Sequence, residues 1–479
     1  MNYSIIRYIL CRVLEFQAVF LALPCLTAVF YREKEGFAYL AVLAVCLILG
    51  EVGKLKRPRS TVFYAREGFV AVSLSWILLS VTGVLPLFLS GEFPSYTDAL
   101  FETISGLTTT GASILSDVEA LSKCNLFWRS FTHWIGGMGV LVLILAVLPL
   151  AGGYNMYLMR AESPGPTVGK LVPRVKHTAR MLYKMYFILT VIQIVLLLIT
   201  GMSPFESMTH SFGTAGTGGF GVLNTSIGEY SIASQAVITI FMILFGINFN
   251  VYYLLWVRKP LQAFRHEEMR YYLGIILAAI LLITINIRGG FASLLEAFHH
   301  AAFQVASIIT TTGFSTVDFN LWPEFSKFIL VLLMFVGACA GSTGGGIKVS
   351  RIIIMLKLVK SELSYLIHPK RVRQVHFEQR VVSKEVLRSI SVFFIAYAVI
   401  FGLSVLLIAL DNLGFTTNFT AVAATLNNIG PGLDQVGPAS NFSVFSQPAK
   451  YVLMFDMLAG RLELFPLLLL FTPSTWKRS

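Results

Sequence analysis

The sequence predicts an all-α polytopic membrane protein: four helix/re-entrant half-helix/helix repeats around one pore, preceded by two extra N-terminal helices. Three observations carry this prediction. The 479 residues are 56% hydrophobic and only 13% charged, with mean hydropathy +0.73, whereas soluble domains carry roughly a quarter charged residues. A short turn, Ile308-Ile309-Thr310-Thr311-Thr312-Gly313-Phe314-Ser315, has three relatives along the chain. They are Leu107-Thr108-Thr109-Thr110-Gly111-Ala112-Ser113, Gly216-Thr217-Gly218-Gly219-Phe220 and Asn427-Asn428-Ile429-Gly430-Pro431-Gly432. Aligning Gly111, Gly218, Gly313 and Gly430 gives spacings of 107, 95 and 117 residues. Finally, lysine and arginine crowd alternate connections between the apolar runs.

A spanning helix needs roughly 20 apolar residues. Ile5 to Phe30 and Phe37 to Gly50 supply an N-terminal pair over 1–53, joined by the polar turn Arg32-Glu33-Lys34-Glu35. The first repeat, 67–152, uses Phe69 to Leu89, a half-length segment from Thr97 to Gly106, the turn, and a return from Leu126 to Leu150. The second, 181–257, uses Met181 to Ile199, a half-helix from Pro204 through Phe212, the turn, and Ala233 to Val257. The third, 271–360, uses Tyr271 to Ile287, Leu294 to Ser307, the turn, and a return from Phe325 to Leu358 that is broken midway by a glycine cluster. The fourth, 386–473, uses Val386 to Leu410, Thr416 to Leu426, the turn, and Ala449 to Phe471. Ten spanning helices and four half-helices are expected.

Non-helical backbone at membrane depth is tolerated only where protein or a water-filled cavity surrounds it. A half-helix entering from outside aims its C-terminal carbonyls at the centre, where their partial charge favours a cation. Glycine lets successive carbonyls point at one axis, and threonine can add a hydroxyl oxygen. The candidate ion ligands are therefore Thr109, Thr110 and Gly111; Gly216, Thr217 and Gly218; Thr311, Thr312 and Gly313; and Asn428, Ile429 and Gly430. Asp98, Glu102, Asp117, Glu206, Glu296, Asp318 and Asp434 fall on the same side and could raise the local cation concentration. The pattern implies a pore for a monovalent cation.

The net charge of +12 does not indicate a nucleic-acid surface, because of where the charge lies. The stretches Lys54 to Arg66, Arg160 to Lys184, Arg258 to Arg270, Lys348 to Arg388 and Lys477-Arg478 hold 27 of the 37 basic residues, while 201–233 and 411–447 hold none. This asymmetry places those connections and both termini in the cytoplasm. The five cysteines sit mostly within apolar runs at unpaired spacings, so neither a disulfide framework nor a metal site is expected. Arg7 and Arg12 ahead of an apolar stretch imitate a signal peptide. Glu15 and Gln17 interrupt it, and Pro24 before Cys25 argues against a lipoprotein site, so a retained helix is expected.

Enzyme readings fail on context. Gly216 to Gly221 matches a dinucleotide fingerprint but follows an apolar half-helix instead of a strand. Gly341 to Lys348 resembles a phosphate loop, yet Ile347 separates the last glycine from the lysine. His133, His210, His299 and His300 lack ligand spacing, and His266-Glu267-Glu268-Met269-Arg270 lacks the second histidine of a zinc-protease helix.

The four turns occur together with His133-Trp134-Ile135-Gly136-Gly137-Met138-Gly139, Gly246-Ile247-Asn248-Phe249, Gly341-Ser342-Thr343-Gly344-Gly345-Gly346-Ile347-Lys348 and Gly460-Arg461-Leu462-Glu463. This combination, covering nearly the whole chain, resembles the TrkH/TrkG/KtrB superfamily of potassium transporters, and the extra N-terminal pair resembles its TrkH branch. The resemblance implies potassium (K+) as the transported ion, a potassium-channel-like fold in a bacterial cytoplasmic membrane, and no organic cofactor in this chain. It also implies a homodimer on a cytosolic, TrkA-like, nucleotide-binding regulatory ring. Asn-Asn-Ile in the fourth turn departs from Thr-Thr-Thr, so fourfold symmetry is expected to be approximate.

Two features keep alternative readings. The cluster Gly337, Gly341, Gly344, Gly345 and Gly346 could serve close helix packing, or form a mobile loop that gates the pore; the resemblance favours the gate. Arg461, midway along the last apolar run, is costly there unless it faces a cavity or a partner. An ion pair with Asp456 or Glu463 would satisfy it, and the resemblance places the matching arginine in the permeation path. Lys348 and Arg351 read as inside-facing anchors. The competing function is a secondary transporter, a symport coupling another solute or ion to a cation gradient through discontinuous helices.

Overall fold

The computed structural model describes residues 1–55, 64–139, 175–368 and 374–477. Its architecture is set by where apolar runs can continue as helix and where glycine, asparagine or proline interrupts them. The helices Tyr3–Tyr31 and Gly36–Lys54 lie antiparallel, turned by Arg32 in the left-handed conformation (φ 58°). Buried polar groups dock this pair on the first repeat. Gln17 donates to the Leu79 carbonyl and accepts from Thr82, and Tyr39 donates to Asn125 at 2.6 Å. Each such bond fixes a register that apolar contact alone leaves free to slide.

The remaining chain runs through four long helices, Ala65–Leu89, Val175–Ile199, Glu267–Ile287 and Lys384–Ile408. Each is followed by a short one: Tyr96–Leu107, Pro204–Gly216, Leu294–Ile309 and Phe415–Leu426. Three of the short helices start on a serine, Ser95, Ser203 or Ser293, whose hydroxyl accepts the N–H of an acidic residue three positions on. That is the standard solution for orphan N–H groups at a helix start. The fourth starts at Gly414 without a side-chain cap. The short helices are central: from Ala421 to Leu426, and from Phe303 to Ile309, every residue is buried.

Ten spanning helices are expected along the whole chain. Among the described residues, six helices are long and apolar enough to cross a membrane, or seven if one bent pair is a single span. The return segments are interrupted. Ile232–Phe245 and Phe249–Trp256 meet at 90°, so Ala233 to Val257 is not one helix. Glu324–Val336 stops and Val349–Ile367 resumes. Gln447–Arg461 ends before Glu463 and Leu464, both at positive φ, and Phe465–Leu470 comes after them. Lys123–Gly137 is the described part of the first return; its continuation toward Leu150 lies outside the described residues. Hydropathy sees only the apolar run, whereas backbone angles and asparagine capping (Asn248 accepts from the Asn250 N–H at 2.9 Å) decide where it breaks.

The all-α expectation also misses a two-stranded antiparallel hairpin, His376–Phe377 with Arg380–Val381, turned by Glu378 and Gln379 at positive φ. The basic cluster Lys370-Arg371-Val372-Arg373 lies outside the described residues.

Candidate ion pathway

The four short helices end alike. Thr109, Thr217, Thr311 and Asn428 all have φ between 56° and 60°. The next residues, Thr110, Gly218, Thr312 and Ile429, each donate at 2.8 Å to a carbonyl five positions back, on Ser105, Gly213, Ser307 and Ala424. Then comes a glycine at positive φ: Gly111, Gly219, Gly313 and Gly430. The alignment on Gly218 is therefore one residue out. Gly219 is the equivalent of the other three glycines, and Gly216 matches Thr108, Thr310 and Asn427. With Gly216, Gly218 and Gly219 so close together, the sequence offers no anchor for choosing among them.

These turns meet in cyclic order. A Cβ on Gly111 would overlap the carbonyl oxygen of Gly218; on Gly219, that of Thr312; on Gly313, that of Ile429. On Gly430 it would lie 2.9 Å from the carbonyl oxygen of Thr110, which closes the ring. The same glycine position in each turn thus backs onto the same carbonyl position in the next. Positive φ and this close approach together leave no room for a side chain. Thr108 to Thr110, Thr217, Thr310 to Thr312 and Asn427 to Ile429 are all fully buried.

The threonine hydroxyls have other duties. Those of Thr110 and Thr312 are bonded to Thr108 and Thr310 at 2.8 and 2.7 Å, and Thr217 donates to its neighbour's carbonyl. In the fourth turn, Asn428 Nδ2 donates to Thr110 Oγ1 at 3.0 Å and to the Met457 carbonyl at 2.9 Å. Thr109 Oγ1, by contrast, is buried without a hydrogen-bond partner among the described residues.

Charged and aromatic groups strap the ring from behind. Arg129 donates to Glu102 Oε1 from Nε at 2.8 Å and Nη2 at 2.6 Å, and its guanidinium lies over Phe220 at 4.1 Å. Glu102 Oε2 in turn accepts the Ile114 N–H at 2.9 Å. Both side chains are almost fully buried. His133 bonds the Gly106 carbonyl through Nδ1 at 2.8 Å and accepts the Phe220 N–H at Nε2. These contacts join the first turn to the second, and sequence reasoning missed them because each partner lies far along the chain. Glu102 is consequently not a free surface charge, and Asp98 is matched by Lys450 at 2.8 Å. Asp117 stays outward, hydrogen-bonded to Asn224, which holds its carboxyl below the usual range.

On the other side of the ring lies the glycine-rich segment. Its backbone reverses at Gly337, Gly341, Gly346 and Lys348, all at positive φ. The Gly345 N–H donates to Thr311 Oγ1 at 2.6 Å, and the Gly346 N–H to the Asn427 carbonyl at 3.0 Å. A Cβ on Gly344 would stand 2.9 Å from the Thr310 carbonyl oxygen. The segment thus packs directly against the third and fourth turns. Arg461 reaches it from across the structure: Nη1 donates to the Thr343 carbonyl at 3.1 Å, and Nη2 to the carbonyls of Gly136 and of Gly137 (2.8 Å to the latter).

Glu463, one candidate partner of Arg461, is paired with Arg351, and Asp456 accepts from Ser404 at 2.7 Å. Lys348 is 2% exposed and donates to the Gly344 carbonyl, and Arg351 is also buried, so neither is an inside-facing anchor. Burial without a partner is too costly for either charge, and each has found one. All five cysteines are free, and among the described residues no cluster of three or more His, Cys, Asp or Glu is placed to hold a metal ion.

The chain is similar to known proteins along nearly its whole length. The family model TrkH, described as cation transport protein, matches residues 35–291 and 288–478. The Trk system potassium uptake protein TrkH of Salmonella typhimurium is 39% identical over 471 residues, covering 95% of each chain. The protein of the same name from Vibrio parahaemolyticus is 37% identical over 99% of each, and TrkG of Escherichia coli is 35% identical over 95% of this chain and 94% of its own. The crystal structure of the potassium transporter TrkH from Vibrio parahaemolyticus superposes with TM-score 0.90 at 34% identity, covering 100% of both chains. With a ring of four glycine turns, a glycine-rich segment packed on it and likeness along its whole length, this helical membrane chain belongs to the TrkH family of cation transport proteins, which are transporters and not enzymes.

Proposed function

We propose that this chain carries potassium into the cell through a channel-like pore, with the ring of four turns as its selectivity filter. The observation that carries the reading is the cyclic closure: the carbonyls of Thr110, Gly218, Thr312 and Ile429 occupy equivalent places against Gly430, Gly111, Gly219 and Gly313 around one centre. Four half-helices end there, and their C-terminal partial charges favour a cation that has shed water. The ligand set is then Thr109 to Gly111, Thr217 to Gly219, Thr311 to Gly313 and Asn428 to Gly430, all through backbone oxygen.

Beneath the filter, Ala338 to Gly346 is a steric barrier and Arg461 an electrostatic one, both subject to gating. Positive-inside topology sets the basic connections and both termini in the cytoplasm. The relatives' printed names support potassium uptake. A homodimer on a TrkA-like nucleotide-binding ring, docked on the basic inner surface, completes the proposed assembly.

The test is uptake of potassium against sodium into liposomes holding the purified protein, with Gly313→Ser alongside. Selective potassium flux that becomes unselective in the variant supports the filter. An unchanged potassium-to-sodium ratio in folded Gly313→Ser rejects it. Uptake that requires a second ion on the same side would favour symport over a channel-like pore.

A further inference from the structure

The glycine-rich segment is held by a residue that the pore reading does not use. Glu268 is the second residue of the helix Glu267–Ile287 and is 2% exposed. Its Oε1 accepts the Ala340 N–H at 2.7 Å and the Ser350 N–H at 3.1 Å, and its Oε2 lies 3.5 Å from Asn248 Nδ2. Ser350 stands in the first turn of Val349–Ile367, a helix whose preceding residue, Lys348, provides no side-chain cap. A carboxylate from another helix satisfies that orphan N–H and sits at the positive end of the helix dipole. One oxygen atom therefore draws together both ends of the stretch Gly341 to Val349.

The same residue faces a second way. The Glu268 N–H donates to Glu378 Oε1 at 3.0 Å, and Glu378 turns the hairpin His376–Val381. Glu378 Oε1 also lies 2.9 Å from His266 Nδ1, and the Glu378 N–H donates to Glu267 Oε2 at 3.1 Å. Lys357 bridges Glu267 and the His376 carbonyl. Hairpin, helix start and glycine-rich segment thus form one connected set of hydrogen bonds, running from the basic face of the molecule to the underside of the ring.

We propose that Glu268 is the positioning residue that latches the glycine-rich segment in place, and that the hairpin sets the latch. The proposal rests on the reading of that segment as an obstruction in the ion path. Because two donors share one charged acceptor, they are released together, which makes the segment a two-position element instead of a gradually softening one. Hydrogen bonds to a charged group are worth enough that losing this acceptor shifts the released population about tenfold or more. A push or pull on the hairpin moves the Glu267–Glu268 backbone and therefore the acceptor itself.

Cys339 offers a reporter inside the segment: it is fully buried, and its N–H is bonded to the Gly246 carbonyl. The experiment uses the full chain in liposomes, with Cys11, Cys25, Cys46 and Cys124 replaced by alanine, and reads the rate at which a small methanethiosulfonate modifies Cys339. Glu268→Ala is expected to speed modification about tenfold or more. Glu268→Gln keeps a neutral acceptor and the side-chain volume, and should speed it less. Glu378→Ala should act in the same direction.

Thermal unfolding confirms that each variant is folded, and if Glu268→Ala is not, Glu268→Gln decides. Folded Glu268 variants with Cys339 as slow as in the parent overturn the latch. A fast Glu268→Ala beside a parent-like Glu378→Ala overturns the role of the hairpin. Potassium flux on the same samples separates this proposal from the one it rests on: a reactive Cys339 without faster flux supports the latch and overturns the obstruction, whereas faster flux with an unreactive Cys339 does the reverse.

Discussion

The ring of turns and the glycine-rich segment are made of the same material and held in opposite ways. Both are buried backbone with repeated positive φ angles, and both are rich in glycine. In the ring, each turn bonds back to its own half-helix and leans on the next turn, so four copies of one arrangement support each other. The segment borrows its partners: Glu268 and Arg461 from distant helices, Thr311 from the third turn, and Lys348 from its own end. The turns of the ring support one another through backbone, with the buried Glu102–Arg129 pair and His133 as straps across the first two. An element held from other parts of the chain can be let go by them, which is what the proposed gating of the segment requires and the proposed filter does not.

The comparison breaks most visibly if the ring loses its strap. Glu102→Ala strands the buried Arg129 guanidinium, and removing one partner of a buried pair costs about 3–5 kcal/mol. Thermal unfolding of the purified protein should register it as a large fall in midpoint. Replacing both residues with methionine should recover much of that loss. An exposed, dispensable pair would show neither effect.

Next comes the ring itself. Gly219→Ala forces a side chain into left-handed backbone and onto the Thr312 carbonyl. Discrimination between potassium and sodium should drop about tenfold, equivalent to about 1.4 kcal/mol. Competition flux in liposomes measures it. The parent ratio in a folded variant would mean that the register built on Gly219 has no bearing on selectivity.

The segment should respond in rate and not in selectivity. Arg461→Ala removes the hydrogen bonds to the Thr343, Gly136 and Gly137 carbonyls and, on the proposed reading, a fixed charge that opposes the cation. Potassium flux per folded protein should rise about threefold or more, the scale of roughly one net hydrogen bond, with the ion ratio unchanged. A shortened Ala338 to Gly345 should do the same by relieving the steric barrier. Slower flux in both would assign the two elements to packing alone.

The smallest effect concerns pH at the hairpin. Burial disfavours the charged form of His266, but Glu378, with Glu268 and Glu267 behind it, more than offsets this and raises its pKa above the usual 6.5. A group raised in the folded state contributes stability that is complete below 6.5 and is lost as pH rises through the folded value. Inner alkalinisation should therefore loosen the hairpin and modestly increase flux, while His266→Gln should flatten that pH profile.

Much of this contrast is legible in the sequence, and unevenly so. The two Thr-Thr-Thr-Gly turns announce themselves by repetition, and three of the four turns fall in register. The second does not, since three nearby glycines compete for one position. The break at Gly337 to Lys348 is readable from composition. Those at Gly246 to Asn248 and Glu463-Leu464 are not: apolar residues resume on both sides of each, and the stop shows only in the fold, as a 90° bend at the first and positive φ at the second. In sequence Glu102 resembles a surface charge, and Lys348 and Arg351 resemble membrane anchors. Charge is visible in a sequence; the neutralising partner, Arg129 or Glu463, is a property of the folded chain.

The seam between Thr110 and Asn428 bears on how the molecule is made. Those residues are 318 positions apart, and their side chains meet at 3.0 Å. The first three turns can assemble as the chain emerges, but both contacts of the fourth, with the third and with the first, wait until Phe415–Leu426 has been synthesised and seated. Contacts of such long range form late. A chain cut short before that point has three turns and no fourth, so its ring stays open.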